Sequence, residues 1–163
     1  MEEATARRHL DFQAQRERFV RFLDNRENRT MVLATSCDNR VTARYVLVAS
    51  QGLDMYFFTW GHSRKCDQIR KNPRVALCTG QVQVEGTAEI LGGLTDEVTK
   101  ESAAILINQY PEAVARWQDR PNMVIIRVRP TFAMTGASST DERSLDYLDL
   151  ENEVAYSESW ASY

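Results

Sequence analysis

Histidine is nearly absent from this 163-residue chain, which holds only His9 and His62, and cysteine is limited to Cys37, Cys66 and Cys78. Two histidines exclude a histidine-rich metal centre. Three widely spaced cysteines with no CxxC give neither a disulfide framework nor a usual zinc pattern, so no metal site is expected. Charge of one sign is missing too: 20 Lys and Arg against 23 Asp and Glu leave a net −3. That balance argues against a general polyanion binder while leaving room for a local basic cluster. Apolar runs are only a few residues long, too short for a membrane helix, so no membrane partner is expected. Residues 1–8 are charged and form no secretory h-region, and a cytoplasmic location is expected. GxGxxG, Walker, GxSxG and HExxH motifs are all absent.

The chain does have an average globular composition, 43% hydrophobic and 26% charged, at a length that predicts one domain over 1–163. Phe12, Phe19, Phe22 and Leu23 fall at helical spacing and predict an amphipathic helix over 9–28 within an N-terminal helical segment, 1–28. After Arg29 the period changes. Residues 31–35, 41–49 and 54–60 predict strands, punctuated by Cys37-Asp38-Asn39 and Ser50-Gln51-Gly52. Ser63 as N-cap and Asn72-Pro73 as stop predict a short helix over 63–71, followed by a strand over 74–78. The cleanest alternation runs over 81–90, with even positions apolar or small and odd ones polar, as in a strand buried on one face. Thr95 is expected to cap a helix to about Gln109, with a further helical piece after Tyr110-Pro111. Residues 122–129 and 131–136 are expected as two last strands. The acidic tail, 138–163, shows one weak helical stretch near Leu145, Leu148 and Leu150. About seven strands without βαβ alternation predict a mainly β fold, an antiparallel barrel with peripheral helices.

The segment Trp60-Gly61-His62-Ser63-Arg64-Lys65 carries the chemistry. It places a serine at a helix start followed at once by two cations, where backbone amides, the helix dipole and full charges all favour an anion. Arg supplies a planar fork and Lys a point charge, both suited to a terminal phosphate. A capped, solvated turn would read the same way. Arg44 adds weight because it interrupts an apolar strand, where a charge needs a partner. A buried salt bridge would explain it equally well. Thr59 ends its strand with a hydroxyl that a polar ligand could use, or is an ordinary β-branched strand residue. The cysteines read as small buried residues, since a reactive thiol needs exposure and a lowered pKa.

Taken in order, Arg44-Tyr45-Val46-Leu47, Phe58-Thr59, Ser63-Arg64-Lys65, Gln68-Ile69 and Asn72-Pro73-Arg74-Val75 resemble the pyridoxamine 5′-phosphate oxidase-like, FMN-binding split-barrel superfamily. The resemblance covers 30–90 and, more loosely, 123–136; the chain looks most like the general stress protein 26-type branch. It implies an antiparallel split β-barrel with FMN as cofactor. Arg44 and Lys65 would hold the FMN phosphate, with Ser63 and Arg64 beside them. The backbone of Tyr45, Val46 and Leu47 would run along the isoalloxazine, and Phe58 and Thr59 match a cofactor-contacting pair. Gln81 matches a glutamine that reaches the flavin from a second subunit, which implies a homodimer with FMN at its interface. The oxidase's substrate residues are replaced: Ala49 stands where it has a lysine, Met134 where it has a tryptophan, and no histidine follows His62. Vitamin-B6 oxidation is therefore not expected.

The leading expectation is an FMN-dependent oxidoreductase drawing on a reduced nicotinamide donor, NAD(P)H, with no side chain assigned as acid or base. Deazaflavin F420 or haem in the same fold is an alternative, as is a flavin-binding sensor or storage module without turnover. Tyr110, Trp117, Tyr147, Tyr156 and Trp160 would shape a substrate pocket or simply pack. Nucleic-acid binding through Arg64, Lys65, Arg70, Lys71 and Arg74 has no recognition motif behind it.

Overall fold

The computed structural model describes residues 6–25, 27, 29–136 and 144–159. Its elements in chain order are β1 (Ala6–Leu10), α1 (Phe12–Asp24), β2 (Thr30–Cys37), β3 (Arg40–Leu47), β4 (Ala49–Gln51), β5 (Asp54–Trp60) and α2 (Arg64–Lys71). They continue with β6 (Arg74–Thr79), β7 (Val82–Gly93), α3 (Lys100–Gln109), α4 (Pro111–Trp117), β8 (Met123–Gly136), β9 (Ser144–Asp149) and β10 (Val154–Ser159). The strands form one sheet in the order β1-β10-β9-β8-β7-β6-β2-β3, antiparallel throughout.

The 14-residue strand β8 is the hub. Along one edge it pairs with β7; along the other, its first half pairs with β5 and its second half with β9. The sheet forks there and does not close, giving an open, split barrel with helices at its margins. β5 and the first half of β8 are buried on both faces. Met55, Phe57, Val124, Ile126 and Val128 point into the barrel core with Phe19, Leu33, Leu77 and Val84. Tyr56, Phe58, Met123 and Ile125 point into a second core with Leu106 and Val114 from α3 and α4. Double burial explains why these two strands read as continuous apolar runs while β7, buried on one face, alternates as expected.

Four expectations are corrected. The N-terminal helix is shorter: residues 6–10 form β1 against β10, and Asp11 starts α1 by accepting from the Ala14 amide at 2.7 Å. The two last strands expected on either side of Pro130 are one strand. A register shift at Glu85/Gly86 pairs Gly86 with Pro130 and leaves Thr131 unopposed, so the bulge falls beside the one residue that cannot donate to the ladder. The helix expected from Thr95 begins instead with a 3-10 turn, Glu97–Thr99, before α3. Within the acidic tail, residues 144–159 are not helical but form the β9–β10 hairpin. There Ser144 and Asp146 face inward and Leu145 and Tyr147 outward, so the period-2 signal is inverted and the leucines alone mislead. The strand count is therefore ten among the described residues rather than about seven. Trp160 lies outside them. No described helix is long and apolar enough to cross a membrane.

Candidate functional site

The turn between β5 and α2 is locked from several sides. The Gly61 amide donates to Asn122 O at 2.7 Å, and a Cβ on Gly61 would meet Val124 and that carbonyl at 3.1 and 3.2 Å. Arg70 returns from the end of α2 to donate to Gly61 O at 2.9 Å, and its other arm pairs with Asp67. Ser63 occupies the expected N-cap position with extended backbone, but its hydroxyl donates to buried Cys66 Sγ at 3.4 Å rather than capping the helix.

Lys65 turns inward from this helix start. Its Nζ donates to Thr59 Oγ1 at 2.9 Å and sits 3.5 Å from Ser63 Oγ. Arg44 reaches the same place from β3. Its Nη1 donates to Thr35 Oγ1 at 2.6 Å and to Leu33 O at 3.3 Å, and its Nη2 donates to Thr42 Oγ1. No carboxylate lies within ion-pair distance of Arg44, Arg64 or Lys65 among the described residues. Among the described residues, Arg44 has no salt-bridge partner.

These cations feel one another. Burial pushes the Arg44 guanidinium below its ordinary pKa, and Arg64 pushes it further. Burial likewise lowers Lys65; the neighbouring Cys66 thiol offsets part of this, and Arg44 adds to the lowering. Half-buried Arg44 and Lys65, with exposed Arg64 beside them and no counter-charge among the described residues, are unfavourable alone and become favourable when an anion enters. The other cations of α2 are neutralised: Arg70 by Asp67 at 2.9 Å and Lys71 by Asp38 at 3.4 Å.

Three of the five guanidinium N–H groups of Arg44 are engaged inward. The two left over are Nε–H and the second Nη2–H, which share one edge of the planar fork. That edge matches two oxygens of a phosphate. The structure thus brings together Arg44, Thr59, Ser63, Arg64 and Lys65. Tyr45, Val46 and Leu47 lead away from Arg44 along β3: Tyr45 is 77% exposed, while Val46 packs on the barrel core. β3 pairs only with β2 among the described residues, so its other edge is open. Phe58 packs against the second core.

Gln81 stands apart. It lies in the β6–β7 turn and lines a cavity of about 430 Å³ with Arg18, Phe22, Asp146 and Tyr147, none of them from the cationic cluster. Ala49 is fully buried in the second core and faces no site. Of the cysteines, Cys66 is buried and Cys37 and Cys78 are half-buried. A hydrogen bond to Asp38 and some burial push the Cys37 thiol up, so it is not activated. Sequence reasoning missed the roles of Thr35, Thr42 and Gln68 beneath Arg44. The available signal was a buried amide on α2 and a hydroxyl two residues before Arg44, hence on its face of the strand.

An open antiparallel sheet forked at one long strand, with its cations gathered at the β5–α2 turn, defines a split-barrel protein. The chain belongs to the pyridoxamine 5′-phosphate oxidase family, whose sequence profile matches residues 15–133. Among solved structures it is similar to general stress protein 26 of Bacillus anthracis, at 23% identity and TM-score 0.57, covering 73% of this chain and 91% of that one. A FAD-binding protein from Mesorhizobium loti matches over 96% of this chain and 99% of its own, at 17% identity and TM-score 0.57. The haem storage protein HutZ of Vibrio cholerae matches over 74% and 91%, at 14% identity and TM-score 0.56. At these identities the likeness establishes the fold. No curated protein sequence matches the chain.

Proposed function

We propose that the chain is an FMN-binding oxidoreductase whose Arg44, Arg64 and Lys65 hold the cofactor phosphate. The observation that carries this reading is the pair of half-buried cations Arg44 and Lys65, with exposed Arg64 beside them, no carboxylate within ion-pair distance among the described residues, and a free bidentate edge on Arg44. Ser63 and Thr59 supply hydroxyls beside it. Tyr45, Val46 and Leu47 offer the open edge of β3 to the flavin ring, and Phe58 continues the β5 side. When bound, the flavin supplies hydride and electron transfer; the protein's part is to bind, orient and shield it. FMN is favoured over F420 by the resemblance of the whole motif set. Ala49, Met134 and the lack of histidine after His62 argue against pyridoxamine phosphate as substrate.

A homodimer completes the reading. Gln81 lies away from the cluster within one chain, and a second subunit would bring it to the flavin. Exposed Val41 and Tyr45 on β3, whose outer edge has no strand partner among the described residues, with exposed Trp60 nearby in sequence to the cations, are surface of the kind a partner covers.

The test is the absorbance spectrum of protein purified without added cofactor and again after FMN addition, followed by NADH and NADPH turnover with an electron acceptor. One FMN per chain with repeated turnover supports the proposal. Bound flavin that is never reduced points to a sensor or storage module. A Soret band points to haem, and a colourless protein that refuses FMN but binds F420 overturns the cofactor assignment.

A further inference from the structure

Beneath the cluster lies a closed hydrogen-bond network that the binding reading does not itself require. Gln68 is 5% exposed, on the inner face of α2. Its Nε2 donates to Arg40 O at 3.1 Å, which fixes the orientation of the amide and turns Oε1 toward the two threonines. Thr35 Oγ1 and Thr42 Oγ1 each donate to that single oxygen at 2.7 Å. Thr35 and Thr42 are directly opposite one another across the β2–β3 ladder. Arg44 has only donors, so each threonine must present it a lone pair and send its own proton elsewhere. Gln68 Oε1 is where both protons go.

We infer that Gln68 is a positioning residue for the anion site: by taking the hydroxyl protons of Thr35 and Thr42, it holds the end of the Arg44 fork inward and leaves the Nε/Nη2 edge for the phosphate. The direction of every hydrogen bond in the chain Arg40 O, Gln68, the threonines and Arg44 is set by its neighbours. Without Gln68 the threonine hydroxyls are free to rotate and to meet Arg44 with their protons, and the fork loses its fixed orientation. The same helix then carries both parts of the site, Lys65 at its start and Gln68 one turn later. This inference rests on the cluster being a phosphate site but not on FMN being the ligand.

The experiment measures the affinity of the full-length protein for FMN and for riboflavin, which lacks the phosphate, in the wild type and in Gln68→Leu. Inorganic phosphate is titrated in parallel, with the shift in Tm as readout. Gln68→Leu is expected to weaken FMN about 10- to 100-fold, in the range seen when outer-shell partners of other ligating groups are removed. Riboflavin affinity is expected to stay unchanged, and the phosphate-induced shift to shrink. Thr42→Val, close to isosteric and only half-buried at that site, is expected to give the same FMN-selective loss and carries the test if Gln68→Leu does not fold. Equal losses of FMN and riboflavin would reduce Gln68 to a structural residue, and unchanged FMN affinity would overturn the inference outright. A wild type that responds to phosphate but not to flavin would remove the cofactor reading, and the phosphate titration would still decide the role of Gln68.

Discussion

Lys65 is held in its charged form against its surroundings, and that has a measurable sign. Its pKa lies below the ordinary 10.5 because of burial and Arg44. The unliganded fold therefore gains stability as pH rises through the depressed value toward 10.5, because there the unfolded chain binds the extra proton. Anion binding works in the opposite sense, raising the pKa, so phosphate affinity is expected to fall as pH rises through the same window. Lys65→Met is expected to leave the unliganded Tm equal or higher while removing most of the phosphate-induced stabilisation, both read by thermal melts with and without phosphate. Tyr110 gives a second pH signature. Its hydroxyl donates to Val48 O at 2.6 Å, and burial pushes its pKa up to about 12, with Arg29 pulling against this. The stability it contributes is intact below about pH 10, the ordinary tyrosine value, and is lost as pH rises toward 12. Tyr110→Phe is expected to flatten that alkaline loss in urea melts; Tyr56 and Tyr147, also shifted upward, keep it from vanishing. At this scale Arg44 and Lys65 were legible because a charge in an apolar strand and a charge after an N-cap are local anomalies. Thr35 and Thr42 were not, and Gln68 was legible only as a piece of the ordered motif set and not in its role, since a threonine in a strand and a glutamine in a helix are ordinary until register and packing bring 35, 42 and 68 together.

Elements were legible where burial is one-sided and lost where pairing is remote or polar groups face inward. β7 announced itself by alternation. β1 and β10 did not, because their pairing spans about the whole chain, with Ala6 opposite Ser159 and Arg7 bridging to Glu158 at 2.7 Å. β9 was hidden by Asp146, which is 2% exposed and paired at 2.9 Å with Arg18 of α1, itself donating to Gly136 O. That pair fastens α1 across β8 and β9. Asp146→Ala is expected to lower stability by about 2–3 kcal/mol, at or below the range for a broken buried pair because Arg18 keeps a third of its side chain in water. Urea denaturation checks it. The bulge that keeps β8 whole makes a separate demand on β7. A Cβ on Gly86 would lie 2.6 Å from Arg129 O and 3.0 Å from Val128 Cγ1. Gly86→Ala is expected to destabilise by about 1–3 kcal/mol through forced backbone displacement, again by urea denaturation. The proline led to a break that the strand does not have; what keeps β8 whole is the bulge in its pairing with β7, which local sequence does not reveal.

For the whole molecule, the fork at β8 explains the arrangement of function. It leaves β3 at an open end of the sheet, sets Arg44 on that strand beside the start of α2, and keeps Gln81 at a turn facing a different cavity. The mainly β class was legible from the many strands, the turn spacing and the lack of βαβ alternation, although the strands were undercounted, and the split barrel was legible from the resemblance that the ordered motif set carries. The two-core division was not, because it depends on β5 and β8 being covered on both faces. If two chains complete the site, sedimentation should give twice the mass of one chain, and Gln81→Ala should weaken flavin binding although Gln81 is remote from Arg44 within its own chain. At the centre of this molecule stands the proposed cofactor-phosphate site at Arg44, Arg64 and Lys65. Its most direct measurement is a fluorescence titration of FMN into the wild type and the Arg44→Ala/Lys65→Ala variant. The wild type is expected to bind FMN saturably at one per chain and the variant to lose that binding, with the far-ultraviolet circular dichroism unchanged. Equal FMN affinity in the two proteins would contradict the proposed site.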